Sequence, residues 1–471
     1  MHLNAGITPA VPPLFDAELI RRYDISGPRY TSYPTALQFR GDFDADTYRV
    51  CAQESNGDPI PAPLSIYVHI PFCNTICFYC ACTKVVTRNR RHATGYLHDL
   101  FQEMEMQAPL FDSDRAVEQL HLGGGTPTFL DADELEQLMT RLRRDFHLVP
   151  DAEGEFAIEI DPRTLRPDSM AQLRQLGFNR VSLGVQDLDE DVQRAVNRIQ
   201  PEELTLAAMA ASRKQGFHSL AMDLIYGLPR QTPERFGRTL ERVIAMRPDR
   251  LSVFNYAHLP HRFKTQQQID ESELPGAEDK LRILQLAIAQ LTAAGYEYIG
   301  MDHFALPEDS LCQARRAGTL HRNFQGYSTR GNCDLIGLGM SSIGQIGNCY
   351  AQNVRTLESY RALVSAERLP VERGIVLSAD DRLRRQVIMK LICYFSLRPA
   401  DIEREWDVVF WDYFARERQR LRGFVADGLL RVEDDLIEVL PRGRLLIRNI
   451  CMAFDQYLRD SDQQQGFSKA L

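Results

Sequence analysis

The sequence predicts an α/β fold in which six βα units form a partial, laterally open (β/α)6 barrel. Short apolar runs alternate with amphipathic helical patterns from position 64 onward, and several runs are apolar enough to be strands buried on both faces. Six units are fewer than the eight of a closed barrel, so we expect a gap in its wall. The predicted strands are 64–70, 117–123, 155–161, 180–186, 220–227 and 251–257.

The segments around this barrel differ from it in composition. We divide the chain into an N-terminal arm and lead-in (1–60), a catalytic barrel with an extension (61–375) and a mainly helical C-terminal domain (376–471). The last contains an amphipathic helix at 380–395, a hairpin at 429–440 and a helix at 443–458. A winged helix also fits that order, although a packing or lid domain suits an acidic chain better.

One barrel helix carries a recognisable start signal. Asp131 is placed to cap its first turn, and Glu134 follows three residues later, as in a capping box. Apolar residues then recur at helical spacing from Leu135 to Phe146. We therefore expect an amphipathic helix packed on the sheet at this point.

The composition limits the function and the compartment. The 471 residues carry a net charge of −9, and 44% are hydrophobic, which is typical of a compact globular protein. An acidic chain offers no general attraction to a phosphate backbone. No apolar run approaches the roughly 18 residues of a membrane span, and no secretion signal begins the chain. We expect a cytoplasmic protein with no membrane span and no nucleic-acid partner.

The ten cysteines fall into two groups. Four lie between positions 73 and 82, and in a cytosolic protein we interpret all ten as metal ligands or reduced thiols rather than as a disulfide framework. We interpret each of the others as a small buried apolar side chain. These are Cys51, Cys312, Cys333, Cys349, Cys393 and Cys451.

The segment HIPFCNTICFYCAC follows the first predicted strand, at the end of a barrel where active sites lie. The thiolates of Cys73, Cys77 and Cys80 suit three irons of a [4Fe–4S] cluster and leave the fourth iron open. S-adenosylmethionine (SAM) fits that vacancy through its amino and carboxylate groups, and one electron then releases a 5'-deoxyadenosyl radical. A zinc knuckle or a chance group of buried thiols are the alternatives, but zinc prefers two separated ligand pairs. Cys82 is either a fourth ligand or, as we favour, a free thiol beside the cluster.

Polar or glycine residues follow the other strands at the same end. Gly123, Gly124 and Gly125 end the second strand, where they permit close approach of a ligand or simply form a tight turn. Such groups at consecutive strand ends predict a lined cavity, although any one of them can be structural. The remaining polar groups are Glu159, Asp161, Gln186, Asp187, Asp223, Tyr226, Asn255, Tyr256 and His258. His303 and His321 are lone histidines and are interpreted as structural.

Several longer motifs resemble those of the oxygen-independent coproporphyrinogen III oxidases, radical SAM enzymes of haem biosynthesis. The resemblance runs from about residue 20 to the C-terminus. The motifs are GPRYTSYPTA, YVHIPFCNTICFYCACTKVVTR, LHLGGGTPT, MDLIYGLP, DRLSVFNYAHLP, GMDHFA, HRNFQGY and GRLLIRNICMAFDQYL. It implies a TIM-like radical SAM barrel and the oxidative decarboxylation, without oxygen, of two propionates of coproporphyrinogen III to the vinyl groups of protoporphyrinogen IX.

The resemblance also implies two SAM molecules and their contacts. The first should meet Tyr67, Gly124, Glu159 and Ile343. The second should meet Tyr79, Gly125, Thr126, Gln186, Arg198, Asp223 and Ala257. Carboxylates among these accept from ammonium or ribose hydroxyl groups, and Arg198 suits a carboxylate.

Catalytic roles are predicted for Cys82 and for Arg29 and Tyr30 of the arm, with Arg29 facing the acidic substrate. We expect deletion of residues 1–36 to spare the cluster and SAM binding but to eliminate decarboxylation. A low-potential electron donor such as flavodoxin or ferredoxin is implied, and we expect a monomer.

Two other functions fit the cysteine motif. A radical SAM-type haem chaperone shares the scaffold but should lack the YTSYPT arm and the C-x-C cysteine, and this chain has both. An electron-transfer protein generally saturates its cluster and needs no lined cavity. The chaperone is therefore the leading alternative.

Overall fold

The computed structural model describes residues 11–458, so the first ten residues of the predicted arm and the last thirteen of the predicted C-terminal domain lie outside it. The described chain divides into two compact units. The barrel unit comprises residues 38–276 and 332–376, and the terminal unit comprises residues 11–37, 277–331 and 377–458. The predicted domains, in contrast, are contiguous stretches of chain, and their separate folding stays a prediction.

The strands and helices of the described chain are numbered in chain order. The strands are β1 (Leu64–Ile70), β2 (Phe72–Cys73), β3 (Val85–Val86), β4 (Ala116–Gly124), β5 (His147–Leu148), β6 (Glu155–Ile160), β7 (Arg180–Gln186), β8 (Ser219–Tyr226), β9 (Arg250–Asn255), β10 (Glu297–Gly300), β11 (His303–Ala305), β12 (His321–Asn323), β13 (Gly326–Ser328), β14 (Asp334–Leu338), β15 (Ile343–Ile346), β16 (Cys349–Asn353), β17 (Val371–Val376), β18 (Ser396–Leu397), β19 (Leu430–Val432) and β20 (Ile437–Val439). The helices are α1 (Ala17–Arg22), α2 (Ala45–Glu54), α3 (Arg91–Gln107), α4 (Ala132–Asp145), α5 (Ser169–Gln175), α6 (Glu190–Ala195), α7 (Glu202–Lys214), α8 (Pro233–Met246), α9 (Ala277–Ala293), α10 (Ser310–Ala317), α11 (Leu357–Ser365), α12 (Ala379–Tyr394), α13 (Pro399–Trp406), α14 (Phe410–Tyr413), α15 (Ala415–Ala426) and α16 (Ile447–Met452).

A parallel sheet forms the centre of the barrel unit. Its strands lie in the order β9, β8, β7, β6, β4 and β1, and they match the six predicted strands within two residues at either end. Strand β14 adds a seventh parallel strand beside β1, and β15, β16 and β17 extend the sheet in antiparallel fashion. Within this unit β9 and β17 are not paired with each other, so the predicted open α/β barrel is confirmed.

Helix α4 shows how local sequence determines an element. The Asp131 side chain accepts a hydrogen bond from the Glu134 amide, and the Glu134 side chain accepts one from the Asp131 amide, so the capping box is confirmed. Leu135, Leu138 and Leu142 are buried on one side of the helix. Burying each leucine is worth about 1.5–3 kcal/mol, which orients the helix on its neighbours.

The terminal unit contains the predicted C-terminal elements with one correction. Helix α12 and the β19–β20 hairpin are found where predicted. The single helix predicted at 443–458 is wrong, because the segment is a 3-10 turn (Arg444–Leu446), the short α16 and a second 3-10 turn (Gln456–Leu458). The Asp455 side chain accepts from the Tyr457 amide, and this local bond competes with a continuous helix.

The described part of the arm packs within the terminal unit. The Arg448 guanidinium donates to the carbonyl oxygens of Gly27 and Pro28. The rings of Tyr30 and Tyr33 are fully buried, and the Tyr33 hydroxyl accepts from the Gln456 amide. Buried aromatic rings and satisfied carbonyls give this segment one defined path.

The isolated cysteines do not all behave as predicted. Cys312, Cys393 and Cys451 are buried thiols. Cys51 and Cys349 are buried as predicted, but they form a disulfide between α2 and β16, so the expectation of separate, reduced thiols is wrong for them. The fold brings them together across 298 residues of sequence, a proximity that composition and compartment do not reveal. Cys333 is only partly buried, which also differs from the expectation.

Helices that would be long and apolar enough to cross a bilayer do not occur among the described residues.

Candidate active site

A cavity of about 350 Å³ lies in the barrel unit at the carboxyl ends of the central strands. The cysteine loop after β1 forms one wall, and the ends of β4, β6, β7 and β8 contribute the rest. Most of the predicted site residues line it, namely Cys73, Cys77, Tyr79, Cys80, Cys82, Gly124, Gly125, Thr126, Glu159, Gln186, Arg198 and Asp223. Position at the strand ends is the rule for active sites of barrels.

The cysteine loop is held by contacts with its backbone. The Asn197 side chain donates to the Ile76 carbonyl at 2.7 Å, and the Thr265 hydroxyl donates to the Cys80 carbonyl at 2.8 Å. Gln266 donates to the carbonyls of Tyr79 and Ala257, at 3.0 and 3.2 Å. These bonds satisfy buried carbonyls and fix the loop before any ligand binds.

Cationic groups surround two of the three predicted cluster ligands. The guanidinium nitrogens of Arg198 and Arg163 lie 3.7 and 3.8 Å from the sulfur of Cys77. A hydrogen bond from Cys82, and in addition the charge of Lys84, lower the pKa of Cys80 to about 6. Thiolates are the form that binds iron, so the lowered pKa of Cys80 favours its binding form.

Cys73 and Cys82 differ from those two. Burial raises the pKa of Cys73 to about 11, and its sulfur lies 3.5 Å from the Thr126 hydroxyl. The hydrogen bond with Cys80 raises the pKa of Cys82, so the shared proton stays on Cys82. In the described chain, no three His, Cys, Asp or Glu side chains are arranged around a single metal ion. The thiolates that hold an iron–sulfur cluster bind different irons and need not surround one ion. Cys73, Cys77 and Cys80 on one wall of the cavity fit that arrangement.

The glycine triplet is required by the packing around it. A Cβ atom on Gly124 would lie 2.5 Å from the His69 ring, and the residue has a φ of +112°, which side chains rarely adopt. A Cβ on Gly123 would lie 2.7 Å from a Glu159 oxygen, and one on Gly125 would lie 2.6 Å from the Pro71 carbonyl. The triplet therefore brings bare backbone to the cavity edge, beyond the needs of a tight turn.

Glu159 is positioned at this edge by two donors. It accepts from His121 Nε2 at 3.0 Å and from the Gly124 amide at 3.3 Å. Burial opposes its ionisation, but these hydrogen bonds and the charge on His121 lower the pKa of Glu159 overall. It is therefore an ionised acceptor facing the cavity.

Gln186 and Arg198 occupy the next wall. A register shift between β7 and β8 lies at Gln186, whose φ is +71°, and this local irregularity re-aims the end of the strand. Arg198 is buried and donates to the Gly184 carbonyl at 2.5 Å and to Asp161 at 3.2 Å. Its Nε atom is buried without a partner in the described chain, so it retains a donor for a ligand.

Asp223 is a partly buried carboxyl group within β8, and it lines the cavity. Burial, and then the nearby charge of Glu159, raise its pKa to about 6, although the Ser182 hydroxyl donates to it at 3.1 Å. It therefore changes charge just below neutral pH, which is unusual for an aspartate.

Three predicted SAM contacts do not line this cavity. Tyr67 stacks on His121 with ring centroids 5.8 Å apart, and its hydroxyl lies 3.2 Å from His69 Nδ1. Ala257 is tied to the cysteine loop through Gln266, as described above. Ile343 begins β15 and pairs with Gln352. Their roles stay predictions.

The predicted arm residues lie in the terminal unit. Arg29 Nη1 donates to Asp302 Oδ2 at 2.8 Å, with about a third of its side chain exposed. The Tyr30 hydroxyl donates to Asp455 at 3.0 Å, and its ring is 1% exposed. His303 packs edge-on against Tyr327, and burial lowers the pKa of His321 to about 4, so it is neutral.

The sequence interpretation missed several polar side chains of this site. Arg163 donates to Asp161 at 2.6 Å and approaches Cys77, while His69 and His121 support the glycine edge. Each of these residues has a recognisable local sequence. His69 interrupts the apolar strand YVHI, His121 interrupts LHL, and Arg163 directly follows Asp161 and Pro162 at the end of a strand.

Comparisons with known proteins agree with this site. The Radical SAM superfamily matches residues 67–243, and the HemN C-terminal domain matches residues 377–446. An oxygen-independent coproporphyrinogen III oxidase of Pseudomonas aeruginosa is 51% identical over 460 residues, 97% of this chain and 99% of that one. The protein of that name from Escherichia coli is 50% identical over 97% of this chain and 98% of its own length.

A solved structure gives the same result in three dimensions. The structure titled coproporphyrinogen III oxidase (HemN) from Escherichia coli, a radical SAM enzyme, has a TM-score of 0.90 at 49% identity. The match covers 95% of this chain and all of that one. The chain belongs to the oxygen-independent coproporphyrinogen III oxidase family of radical SAM enzymes.

Proposed function

We propose that this chain converts coproporphyrinogen III to protoporphyrinogen IX without oxygen, by oxidative decarboxylation of two propionates. The supporting observation is the cavity that combines Cys73, Cys77 and Cys80 with a bare glycine edge and ionisable strand-end residues. Each propionate loses one β-hydrogen atom, one carbon dioxide and one electron, and so becomes a vinyl group. The reaction belongs to haem biosynthesis.

Cys73, Cys77 and Cys80 hold the [4Fe–4S] cluster in this proposal. When bound, the cluster and SAM supply a 5'-deoxyadenosyl radical that removes the hydrogen atom. The chain itself positions the reactants. The Gly124 and Gly125 edge admits a ligand against the backbone, and Glu159 provides an ionised acceptor for its ammonium or hydroxyl groups.

Two SAM molecules are assigned to the cavity and its surroundings. The first meets Tyr67, Gly124, Glu159 and Ile343. The second meets Tyr79, Gly125, Thr126, Gln186, Arg198, Asp223 and Ala257. The unpartnered Nε–H of Arg198 suits a carboxylate, and Asp223 suits ribose hydroxyls or an ammonium group. Gln186 lines the same cavity as both residues, which supports its assignment to this second SAM molecule.

Arg29 and Tyr30 are proposed to bind the acidic substrate. In this proposal the Arg29 guanidinium leaves its ion pair with Asp302 and pairs with a propionate of the substrate. A low-potential protein such as flavodoxin or ferredoxin supplies the electron. The enzyme acts as a cytoplasmic monomer.

The haem chaperone alternative is not favoured, since the relatives that match this chain over nearly its full length carry the oxidase name.

An anaerobic assay tests the reaction. Purified protein with a reconstituted cluster, SAM, reductant and coproporphyrinogen III is expected to yield protoporphyrinogen IX, carbon dioxide and 5'-deoxyadenosine. Cleavage of SAM with the porphyrinogen left intact contradicts the substrate. Tight binding of haem without any decarboxylation points to the chaperone.

A further inference from the structure

A cluster of basic residues lies beside the cysteine loop of an otherwise acidic chain. The segment TKVVTRNRR brings Lys84, Arg88, Arg90 and Arg91 within eight positions, although the net charge of the chain is −9. A local concentration of positive charge against that background attracts an acidic partner over several ångströms of solvent.

Strand pairing places this segment next to a proposed cluster ligand. Strand β3 runs parallel to β2, and Val86 is paired with Cys73. The Thr87 amide donates to the Cys73 carbonyl at 3.0 Å. Neighbouring strands lie about 4.8 Å apart, so the surface formed by β3 and the start of α3 is one strand away from the cluster ligand.

The arginines on this surface are not equivalent. Arg90 is engaged with Asp131 and Glu134 and lies over the Phe129 ring. Arg88 and Arg91 are exposed, and within residues 11–458 neither forms an ion pair. Val86 is 44% exposed between them and Lys84. The surface therefore has an apolar centre and unneutralised positive charge at its edge, as interfaces for brief electrostatic encounters do.

We infer that Val86, Arg88 and Arg91 form the docking surface for an acidic, low-potential one-electron donor protein. This inference rests on the proposed function, whose cluster must be reduced from outside. The donor is oxidised by one electron, the cluster is reduced by one electron, and no bond or proton changes place. A short path from this surface to Cys73 is what such a transfer needs, and small interfaces are usual for redox partners.

The test uses the full-length protein with its cluster reconstituted, and reduced flavodoxin as the donor. The double variant Arg88→Glu, Arg91→Glu reverses the charge at the exposed edge. Its matched control, Arg416→Glu, Arg422→Glu, makes the same change at exposed positions of α15. Stopped-flow absorbance measures cluster reduction before any porphyrinogen is added. Binding of oxidised flavodoxin is measured separately by titration.

At low ionic strength we expect the Arg88/Arg91 variant to be reduced by flavodoxin about tenfold or more slowly, since steering of this kind changes association rates by 10–10³. Flavodoxin binding should weaken in parallel, and added salt should slow the wild type but not the variant. Reduction by dithionite and the iron content should not change. The control variant should behave as the wild type.

Equal rates for both double variants would overturn the docking surface. A variant that also loses iron, or resists dithionite, would show that these arginines serve the cysteine loop instead, and this too would overturn it. Failure of the proposed function looks different, because the wild type would then be reduced normally by flavodoxin while the porphyrinogen stays unconverted.

Discussion

The four clustered cysteines are chemically unequal although the sequence places them within ten residues. Cys77 and Cys80 lie among cations, and Cys82 holds the proton of its hydrogen bond with Cys80. We predict that serine at 73, 77 or 80 abolishes both the cluster and SAM cleavage, whereas Cys82→Ser keeps the cluster. Iron and sulfide analysis with electron paramagnetic resonance decides this, and loss of the cluster in Cys82→Ser would make Cys82 a ligand.

Asp223 predicts a pH dependence of SAM binding. Its raised pKa of about 6 means that it is a carboxylate at neutral pH and is protonated as the pH falls through that value. Binding at one of the two SAM sites should therefore tighten as pH rises through about 6 and then level off. Asp223→Asn should remove this dependence and weaken binding about tenfold at neutral pH, in line with 1.5–3 kcal/mol for hydrogen bonds to charged groups.

Equilibrium dialysis with labelled SAM on the oxidised holoenzyme measures this dependence. Ser182→Ala is a useful second variant, because it removes one hydrogen-bond donor to Asp223. It should shift the pH at which SAM binding changes to a higher value without abolishing the change. An unaltered pH profile in Asp223→Asn would mean that another group titrates.

At this scale the sequence located most of the residues that line the cavity, while their binding roles stay predictions. The cysteines and the strand-end residues that line the cavity follow from motif spacing and from the position of strand ends. Arg163 carries a local signal in its bond to Asp161, but its approach to Cys77 depends on a contact far away in sequence and was missed. The disulfide between Cys51 and Cys349 was missed for the same reason.

At the scale of elements, one buried carboxylate on α3 joins that helix to three segments after residue 332. Glu103 of α3 accepts from the Gly339 amide, the Asn353 side chain and the Tyr360 hydroxyl, at 2.7, 2.7 and 2.5 Å. Gln107 also donates to it, at 2.9 Å. Burial raises the pKa of Glu103. Its hydrogen-bond donors, and not solvent, therefore stabilise the buried carboxyl group.

We predict that Glu103→Ala lowers the free energy of unfolding by about 3 kcal/mol or more, because it leaves buried donors without an acceptor. Glu105→Ala on the same helix removes an exposed ion-pairing carboxylate and should cost about 1 kcal/mol or less. Urea unfolding followed by circular dichroism measures both. Equal losses would show that the Glu103 network does not join the elements as described.

Element prediction succeeded where the pattern was long. The six barrel strands and the capped helix α4 have continuous apolar runs or a complete capping box. Strands β14 to β17 were not predicted, since they are short and interrupted by glycines such as Gly337, Gly344 and Gly374. Added Cβ atoms at these glycines would meet backbone of neighbouring strands within 3 Å, so their meaning depends on tertiary contacts.

At the scale of the whole molecule, the structure changes how the arm should be tested. Deletion of residues 1–36 removes the buried Tyr30 and Tyr33 and the carbonyl partners of Arg448, so it is expected to destabilise the terminal unit. Loss of turnover in that protein would then have two explanations. A single substitution at Arg29 avoids this ambiguity.

We predict that Arg29→Ala weakens binding of coproporphyrinogen about tenfold and reduces its salt dependence, because one cation for a propionate is lost. Cluster content and SAM cleavage should be unchanged, and stability should fall by about 1 kcal/mol or less, since the Asp302 pair is partly exposed. Arg22→Ala, which removes another ion pair of the same segment, is the control. Equal substrate binding in the two variants would remove Arg29 from the substrate site.

The bonds between Arg448 and the carbonyls of Gly27 and Pro28 also have a consequence for the synthesis of this protein, because they join segments that lie far apart in the chain. The Arg448 side chain and the Pro28 carbonyl are 420 positions apart, so the arm leaves the ribosome well before its partners at 448–456. At about 5–20 residues per second, the arm waits tens of seconds for them. The central strands of the barrel, in contrast, emerge consecutively. During synthesis the aromatic side chains of Tyr30 and Tyr33 therefore stay without these partners until residues 448–456 have emerged.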